Sequence, residues 1–361
     1  RPEALVAWSP RNGADTGPEI IERMEITVVA KQTSLRNRLR TSRRAFIGLL
    51  ASSALLLTPL AANAEVEENT LRIGYQKYGT LILLKARGTL EPQLAEQGFD
   101  VKWIEFPAGP QLLEGLNVGS VDFGTTGETP PIFAQAAGAD LVYVANEPPA
   151  PKGEAILVKA DSPIQSVADL KGKRVALNKG SNVHYLLVRA LEEANLSIRD
   201  IKPVYIKPGD ARTAFDRGDV DAWVIWDPYQ ADAEIAGARS LRDGEGLVDN
   251  HQIYLASRPF AERYPGIVNE VIDSLAELDA WAKDHPQEVV DILHKETGIS
   301  KDSLRLAVDR YAYGATRITP RIGKAQQTIA DVFYELNLIP REINIDSVLW
   351  QSPASVAQNA Q

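Results

Sequence analysis

Six short turns carry the residues in this chain best suited to holding a small anion. They read Gln76-Lys77-Tyr78-Gly79-Thr80, Ala108-Gly109-Pro110-Gln111, Thr125-Thr126-Gly127-Glu128, Lys179-Gly180-Ser181-Asn182, Pro208-Gly209-Asp210-Ala211 and Trp226-Asp227-Pro228-Tyr229. Each is expected between a strand end and a helix start. Glycine lets the backbone come close to a ligand. The unpaired N–H groups and the dipole at a helix start favour an oxyanion. Ser, Thr, Asn and Gln add uncharged hydrogen bonds. Any one of these turns, taken singly, reads as a plain cap rather than a site. Several of them facing one cleft would make a site. Trp226 ends an apolar strand and Tyr229 follows in a proline turn, so an aromatic pair could face a ligand. Lys77 and Lys179 read as solvated, and His184 as packing or capping within its helix. Asp227 and Glu128 would repel an anion if aimed at it, and read as helix-start acids facing backbone or lobe–lobe contacts.

Other chemistry is poorly supplied. The chain has no cysteine, hence no disulfide, no thiol nucleophile and no Cys-ligated zinc. His184, His251, His285 and His294 are scattered, with no H-E-x-x-H spacing among them. Ser181 and His184 stand three apart, but no G-x-S-x-G elbow surrounds them. No metal, no cofactor and no enzymatic centre is therefore expected. The formal charge of −9 makes nucleic acid and anionic membranes poor partners.

The elements that must position the turns follow a simple rhythm. Strands are expected at Leu71–Tyr75, Val101–Phe106, Val121–Gly124 and Leu141–Ala145. Helices at Leu81–Gly88, Gln111–Val118 and Pro130–Ala137 alternate with them. This alternation predicts an α/β fold with a largely parallel sheet. The Pro-rich run from Glu147 to Pro151 breaks the rhythm. A second set follows, with strands at Ala155–Lys159, Arg174–Leu177, Val204–Ile206 and Ala222–Trp226 and helices at Asn182–Ala194 and Ala211–Arg217. After a strand at Ile253–Ala256 the chain turns helical, at Pro265–Asp284, Pro286–Thr297, Ser303–Tyr311 and Gly323–Leu336. The second unit is thus inserted in the first. The expected division is lobe one at 65–153 and 254–361, and lobe two at 154–253. Two crossings, near Glu154–Val158 and Ile253–Ala256, would form the hinge of a two-lobed binding fold.

The N-terminal region, residues 1–64, reads as an upstream extension plus an export signal. Arg36, Arg38, Arg40, Arg43 and Arg44 precede the uncharged apolar run Phe46–Ala62, and Ala62-Asn63-Ala64 supplies the small residues of a cleavage site. Ser42-Arg43-Arg44-Ala45-Phe46 fits a twin-arginine pattern. Residues 1–23 precede the single methionine, Met24, and read as an extension without a folded role. The leader holds nine basic and five acidic residues, so its removal leaves a more acidic chain. With no cysteine for a lipid anchor, the exported protein would need an outer barrier, which points to a Gram-negative periplasm. The mature chain would also contain no Met and no Cys. Chance, avoidance of oxidisable residues and sparing of sulfur during its scarcity all account for that.

At these same turns the sequence resembles the aliphatic sulfonate-binding proteins of ABC importers, within the taurine, nitrate and thiamine-precursor binding superfamily. The resemblance is carried by Leu71-Arg72-Ile73-Gly74-Tyr75-Gln76-Lys77, Phe106-Pro107-Ala108-Gly109-Pro110-Gln111 and Gly127-Glu128-Thr129-Pro130-Pro131-Ile132-Phe133-Ala134-Gln135. It continues through Lys179-Gly180-Ser181, Trp226-Asp227-Pro228-Tyr229 and Phe333-Tyr334-Glu335, and spans residues 70–350. It implies a two-lobed type II periplasmic binding protein with a hinge of two crossings. The ligand would be an aliphatic sulfonate, gathered for sulfur. The partner would be a membrane permease with a cytoplasmic ATPase, and the protein itself a monomer. The resemblance also implies that Gln76, Gly79, Thr80, Gly109, Thr126, Ser181 and Asn182 line the cleft, with Trp226 and Tyr229 opposite. Sulfur sparing fits this reading. Taurine, sulfate esters or nitrate remain alternative ligands, and an enzyme of the same fold, related to thiamine-pyrimidine synthesis, is the rival of another class.

The leader reading is checked by N-terminal sequencing of periplasmic protein. The sequence is expected to begin at Glu65 or within a residue or two of it. A mature protein that keeps Phe46–Leu60 would contradict export by a cleaved signal.

Overall fold

The computed structural model describes residues 68–351. The expected leader, its cleavage site and the twin arginines lie outside the described residues. Two sheets organise the rest. The first holds β1 (Thr70–Tyr75), β2 (Asp100–Glu105), β3 (Phe123–Gly127), β4 (Leu141–Asn146), β10 (Gln252–Ser257) and the two-residue β11 (Thr316–Arg317). Its order is β11-β4-β10-β3-β1-β2. The second holds β5 (Glu154–Val158), β6 (Arg174–Leu177), β7 (Lys202–Tyr205), β8 (Ala222–Trp226) and β9 (Arg239–Asp243), ordered β7-β6-β8-β5-β9.

The two orders are the same path drawn twice: β2-β1-β3-β10-β4 corresponds to β7-β6-β8-β5-β9. A shared electrostatic clamp repeats with it. Arg72 at the start of β1 grips Asp122 through its Nε at 2.8 Å and Nη2 at 2.7 Å, while its backbone N–H donates to the same carboxylate at 2.9 Å. Arg174 at the start of β6 grips Asp221 in the same way, with backbone N at 2.7 Å and Nη2 at 3.0 Å. The aspartates end the matching phrases Gly119-Ser120-Val121-Asp122 and Gly218-Asp219-Val220-Asp221. Each clamp ties the outer strand pair to the turn that starts the next strand, and bidentate Arg–carboxylate geometry fixes the register.

The expectation of a largely parallel sheet needs correction. β1–β2, β1–β3, β6–β7 and β6–β8 are parallel, but β10 runs antiparallel between β3 and β4, and β5 antiparallel between β8 and β9. The cause is the path between lobes. Each strand that follows a crossing is inserted into the middle of its sheet from the cleft side, so it runs against its neighbours. The crossings themselves are the segments 147–153 and 244–251. They are bonded to one another: Ala150 N–H donates to Asp249 O at 3.0 Å, and Glu147 N–H to Gln252 O at 2.9 Å.

Helices cover the sheets. α1 (Gly79–Arg87), α2 (Leu90–Ala95), α3 (Gly109–Asn117) and α4 (Pro130–Ala136) belong to the first, with α8 (Arg258–Arg263), α9 (Pro265–Asp284), α10 (Pro286–Thr297), α11 (Lys301–Val308) and α12 (Pro320–Glu335) following the second crossing. α5 (Asn182–Glu193), α6 (Pro208–Arg217) and α7 (Tyr229–Ile235) belong to the second sheet. α9 begins with proline, as a first turn tolerates, and buries Val268, Val271, Ile272, Leu275 and Leu278 at helical spacing. These pack with Leu71, Ile73, Leu81 and Phe123 into a core on one face of the first sheet. The expected helix Ser303–Tyr311 stops at Val308 instead, and residues 311–315 run without regular structure toward β11. That early stop delivers Arg310, Tyr311 and Tyr313 to the cleft.

Candidate functional site

A cleft between the two sheets, with an empty volume of about 660 Å³ counted to its open mouth, collects residues from both. Of the expected site residues, Gln76, Gly79, Thr80, Gly109, Ser181, Asn182 and Trp226 line it. They stand on the β1–α1, β2–α3, β6–α5 and β8–α7 turns, at the carboxyl ends of parallel strands, where open α/β sheets hold ligands. None of α1, α3 and α5 is capped by its own N-cap side chain, so their first N–H groups remain free for a ligand.

Thr126 and Tyr229 are not among the lining residues. Thr126 is fully buried, and its hydroxyl donates to Gly127 O at 2.9 Å. Its side chain fills the space beside Gly109, where an added Cβ would lie 3.0 Å from Thr126 Cβ. The missing side chain at Gly109 is what lets the start of α3 approach β3 this closely. Tyr229 packs edge-on against Trp226, with ring centroids 6.5 Å apart. Thr126 thus packs against Gly109, and Tyr229 against Trp226. His184 is buried among Phe133, Phe333 and Tyr205, and burial pushes its imidazole down to about 4, so it stays neutral.

Arg310 and Asp227 on the cleft wall answer one another. Arg310 lies 3.4 Å from Asp227, and its Nη2 is 2.5 Å from Glu234. It stands just beyond α11 while both acids follow β8, so the bridge spans the two lobes. Asp227 also accepts the Ala231 N–H at 3.0 Å. Burial pushes its carboxyl up to about 7 against the pull of Arg310. Glu128 is buried and accepts two backbone N–H groups of the second crossing, Asn250 at 3.2 Å and His251 at 3.0 Å. Burial again raises it, to about 7, with those two bonds opposing.

Sequence reasoning missed Tyr78, Glu147, Asn250, Arg310, Tyr311 and Tyr313, all on the cleft wall. Tyr311 and Tyr313 matter most, because their buried hydroxyls have no hydrogen-bond partner among the described residues. A buried unpaired donor is costly, and a ligand oxygen in the cleft would relieve that cost. Burial holds both phenols above their ordinary value, so they remain donors. The signal was the phrase Arg310-Tyr311-Ala312-Tyr313-Gly314, too aromatic for a plain turn after a helix. Among the described residues no group of three or more His, Asp and Glu could hold a metal ion.

The lobes meet across the cleft at Asn182. Its Oδ1 accepts the Thr129 N–H at 3.3 Å, and its Nδ2 donates to Asn250 Oδ1 at 2.5 Å. It lies so close to Gly127 that a Cβ added there would fall 2.0 Å from both Oδ1 and Nδ2.

Comparison with known proteins gives this geometry its family. The NMT1/THI5-like family model matches residues 94–289. A protein of Escherichia coli K12, provisionally named as aliphatic sulfonates-binding, is 45% identical over 313 residues, 85% of this chain and 97% of that protein. The chain belongs to the aliphatic sulfonate-binding proteins. Two solved structures of this family share its fold. The alkanesulfonate-binding protein of Xanthomonas axonopodis pv. citri, solved with MOPS bound, superposes with a TM-score of 0.76 at 42% identity, over 79% of this chain and 99% of that one. The periplasmic aliphatic sulphonate-binding protein of Escherichia coli gives a TM-score of 0.71 at 46% identity, over 79% and 93%. These relatives of the sulfonate-binding family are binding proteins rather than enzymes.

The Asn182 contact is tested by Gly127→Ala. Overpacking costs about 1–3 kcal/mol, and here it falls on the closed arrangement alone. Ligand affinity measured by calorimetry is expected to fall about fivefold to a hundredfold, with a larger radius of gyration in small-angle scattering. Unchanged affinity would show that the lobes do not close through this contact.

Proposed function

We infer that this protein captures aliphatic sulfonates in the cleft between its lobes and delivers them to an ABC importer. The carrying observation is the amphipathic character of one cleft: uncapped helix starts and unpartnered tyrosine hydroxyls on its walls, and an indole beside them. A sulfonate has three oxygens sharing one charge, and an apolar tail. Fixed N–H and O–H dipoles suit the head, because they are already oriented and bring no mobile charge. Trp226 suits the tail. Asn182, Gln76 and the backbone at Gly79 and Gly109 are assigned to the head, with Tyr311 and Tyr313, while the Ser181 hydroxyl and N–H already donate to Asn178 O at 2.7 and 3.3 Å and hold the turn. The expected aid of Thr126 and Tyr229 becomes indirect. Taurine is the second reading, since the Asp227 carboxyl on the wall would suit its ammonium.

The physiological setting is part of the proposal. A cleaved N-terminal signal, through the twin-arginine route or the general one, would bring the chain to the periplasm. There it would work as a monomer beside a membrane permease with a cytoplasmic ATPase. The absence of cysteine, and of methionine after Met24, suits a protein made when sulfur is short.

The division of labour is tested by calorimetric titration of an alkanesulfonate series. Trp226→Ala should weaken long-chain sulfonates by about 1–3 kcal/mol, the scale of burying an apolar group, and methanesulfonate less. Tyr311→Phe should weaken every chain length alike, by about 0.5–3 kcal/mol. Equal loss for every ligand in Trp226→Ala, or none, would make Trp226 a core residue and refute the tail assignment.

A further inference from the structure

Thr80 sits between two carboxyl groups, and its hydrogen count balances only if one of them is an acid. Its Oγ1 lies 2.9 Å from Glu147 Oε1 and 2.6 Å from Asp279 Oδ1. The Tyr254 hydroxyl also bonds Glu147 Oε1. Three oxygen–oxygen contacts need three hydrogens, and each hydroxyl brings one. The third therefore belongs to Glu147 or Asp279. Asp279 Oδ2 already accepts backbone N–H groups, from Gly314 at 2.8 Å and Ala315 at 2.7 Å, and such bonds favour the charged form. The Glu147 carboxyl is met by hydroxyls, which serve the acid equally well. It lies in the first crossing and, with Thr80, on the cleft wall.

The surroundings leave that proton in place. Tyr254 of β10, Asp279 of α9, and Tyr78, Tyr311 and Tyr313 of the cleft wall all face Glu147. His251 Nδ1 lies 2.7 Å from the Glu147 carbonyl oxygen. Lys283 acts on Asp279, and Arg310 is held by Asp227 and Glu234. No cation is among the groups that shift Glu147; burial first, then the Asp279 charge, pushes it up to about 8. Burial raises Asp279 as well.

We propose that Glu147 and Asp279 share one proton across Thr80, and that this proton sets the affinity of the cleft for an anion. With it, the pair carries one negative charge; without it, two. In a closed cleft of low dielectric the second charge repels a sulfonate strongly. The pair titrates as a unit. This rests on the sulfonate reading above. The direction follows from linkage. The empty cleft loses the proton as pH rises past its titration near 8, whereas a bound anion holds the proton to higher pH. Affinity is therefore level at lower pH and falls by up to about tenfold per pH unit above the transition. Binding near the transition takes a proton up from solvent.

The test is calorimetric titration of the mature protein with butanesulfonate, ionised at every pH used, between about pH 6 and pH 9. Two buffers of different ionisation heat report the proton uptake. The wild type should bind roughly tenfold more weakly at the alkaline end and take up a proton near pH 8. Glu147→Gln, neutral at every pH, should lose the alkaline slope and the proton uptake near pH 8, whatever its affinity. Should that variant not fold, Asp227→Asn decides: a retained slope supports the Glu147 pair, and a lost slope assigns the titration to Asp227. A flat wild-type profile, or a wild-type slope in Glu147→Gln, overturns the proposal alone. No binding of butanesulfonate at any pH overturns the functional reading and this proposal with it.

Discussion

Residue 127 has no side chain, and the Asn182 carboxamide occupies the space a Cβ would fill. This close approach lets the start of α5, on the second sheet, rest against the end of β3, on the first. From it follow the bonds of Asn182 to Thr129 and Asn250, which join both lobes to a crossing. The Arg310 bridge to Asp227 and Glu234 spans the same gap from the other helical flank. Between these contacts the turns of both sheets face one half-enclosed cleft. Enclosure raises the worth of each dipole, because water no longer competes for the ligand.

Enclosure also makes charge expensive, and the cleft shows how that cost is contained. Its acids are answered differently, Asp227 by a guanidinium and an N–H and Glu147 by retaining its proton, while Glu128 behind the second crossing is held by two backbone N–H groups. Glu154, at the start of β5, is fully buried with both carboxyl oxygens unpartnered among the described residues, and burial raises it well above the usual carboxylate range. Lone buried carboxylates are avoided in this way. What remains for a ligand is a set of uncharged donors. That suits a strong-acid anion, which carries no hydrogen of its own to donate.

Much of this was legible in the sequence because the relevant features are local. A glycine turn between a β-period run and an α-period run marks itself, so Gln76, Gly79, Gly109 and Ser181 were found from their own neighbourhoods. What depended on partners far along the chain was not legible. The antiparallel insertion of β5 and β10 is set by the two crossings, and an apolar run of five or six residues says nothing of its direction. Thr126 has the right chemistry in the right turn, yet packs on Gly109. Tyr311 closed the expected helix and Tyr313 lay just past it, and only the tertiary path after α11 brings both to the cleft. The paired Arg72–Asp122 and Arg174–Asp221 clamps were present as a repeated Gly-x-Val-Asp phrase, but its role appears only once strands are neighbours.

The account stands on the claim that a closed cleft of neutral donors, with an indole beside them, selects an alkyl chain bearing a sulfonate. A melting-temperature panel tests this most directly, since a ligand that binds only the folded state raises the midpoint further the more tightly it binds. Butanesulfonate, taurine, a sulfate ester, inorganic sulfate and nitrate would be compared at equal concentration and ionic strength. Butanesulfonate is expected to give the largest rise, with inorganic sulfate and nitrate indistinguishable from added salt. A larger rise with sulfate or nitrate than with butanesulfonate would contradict the account, because neither has a tail for Trp226 to hold.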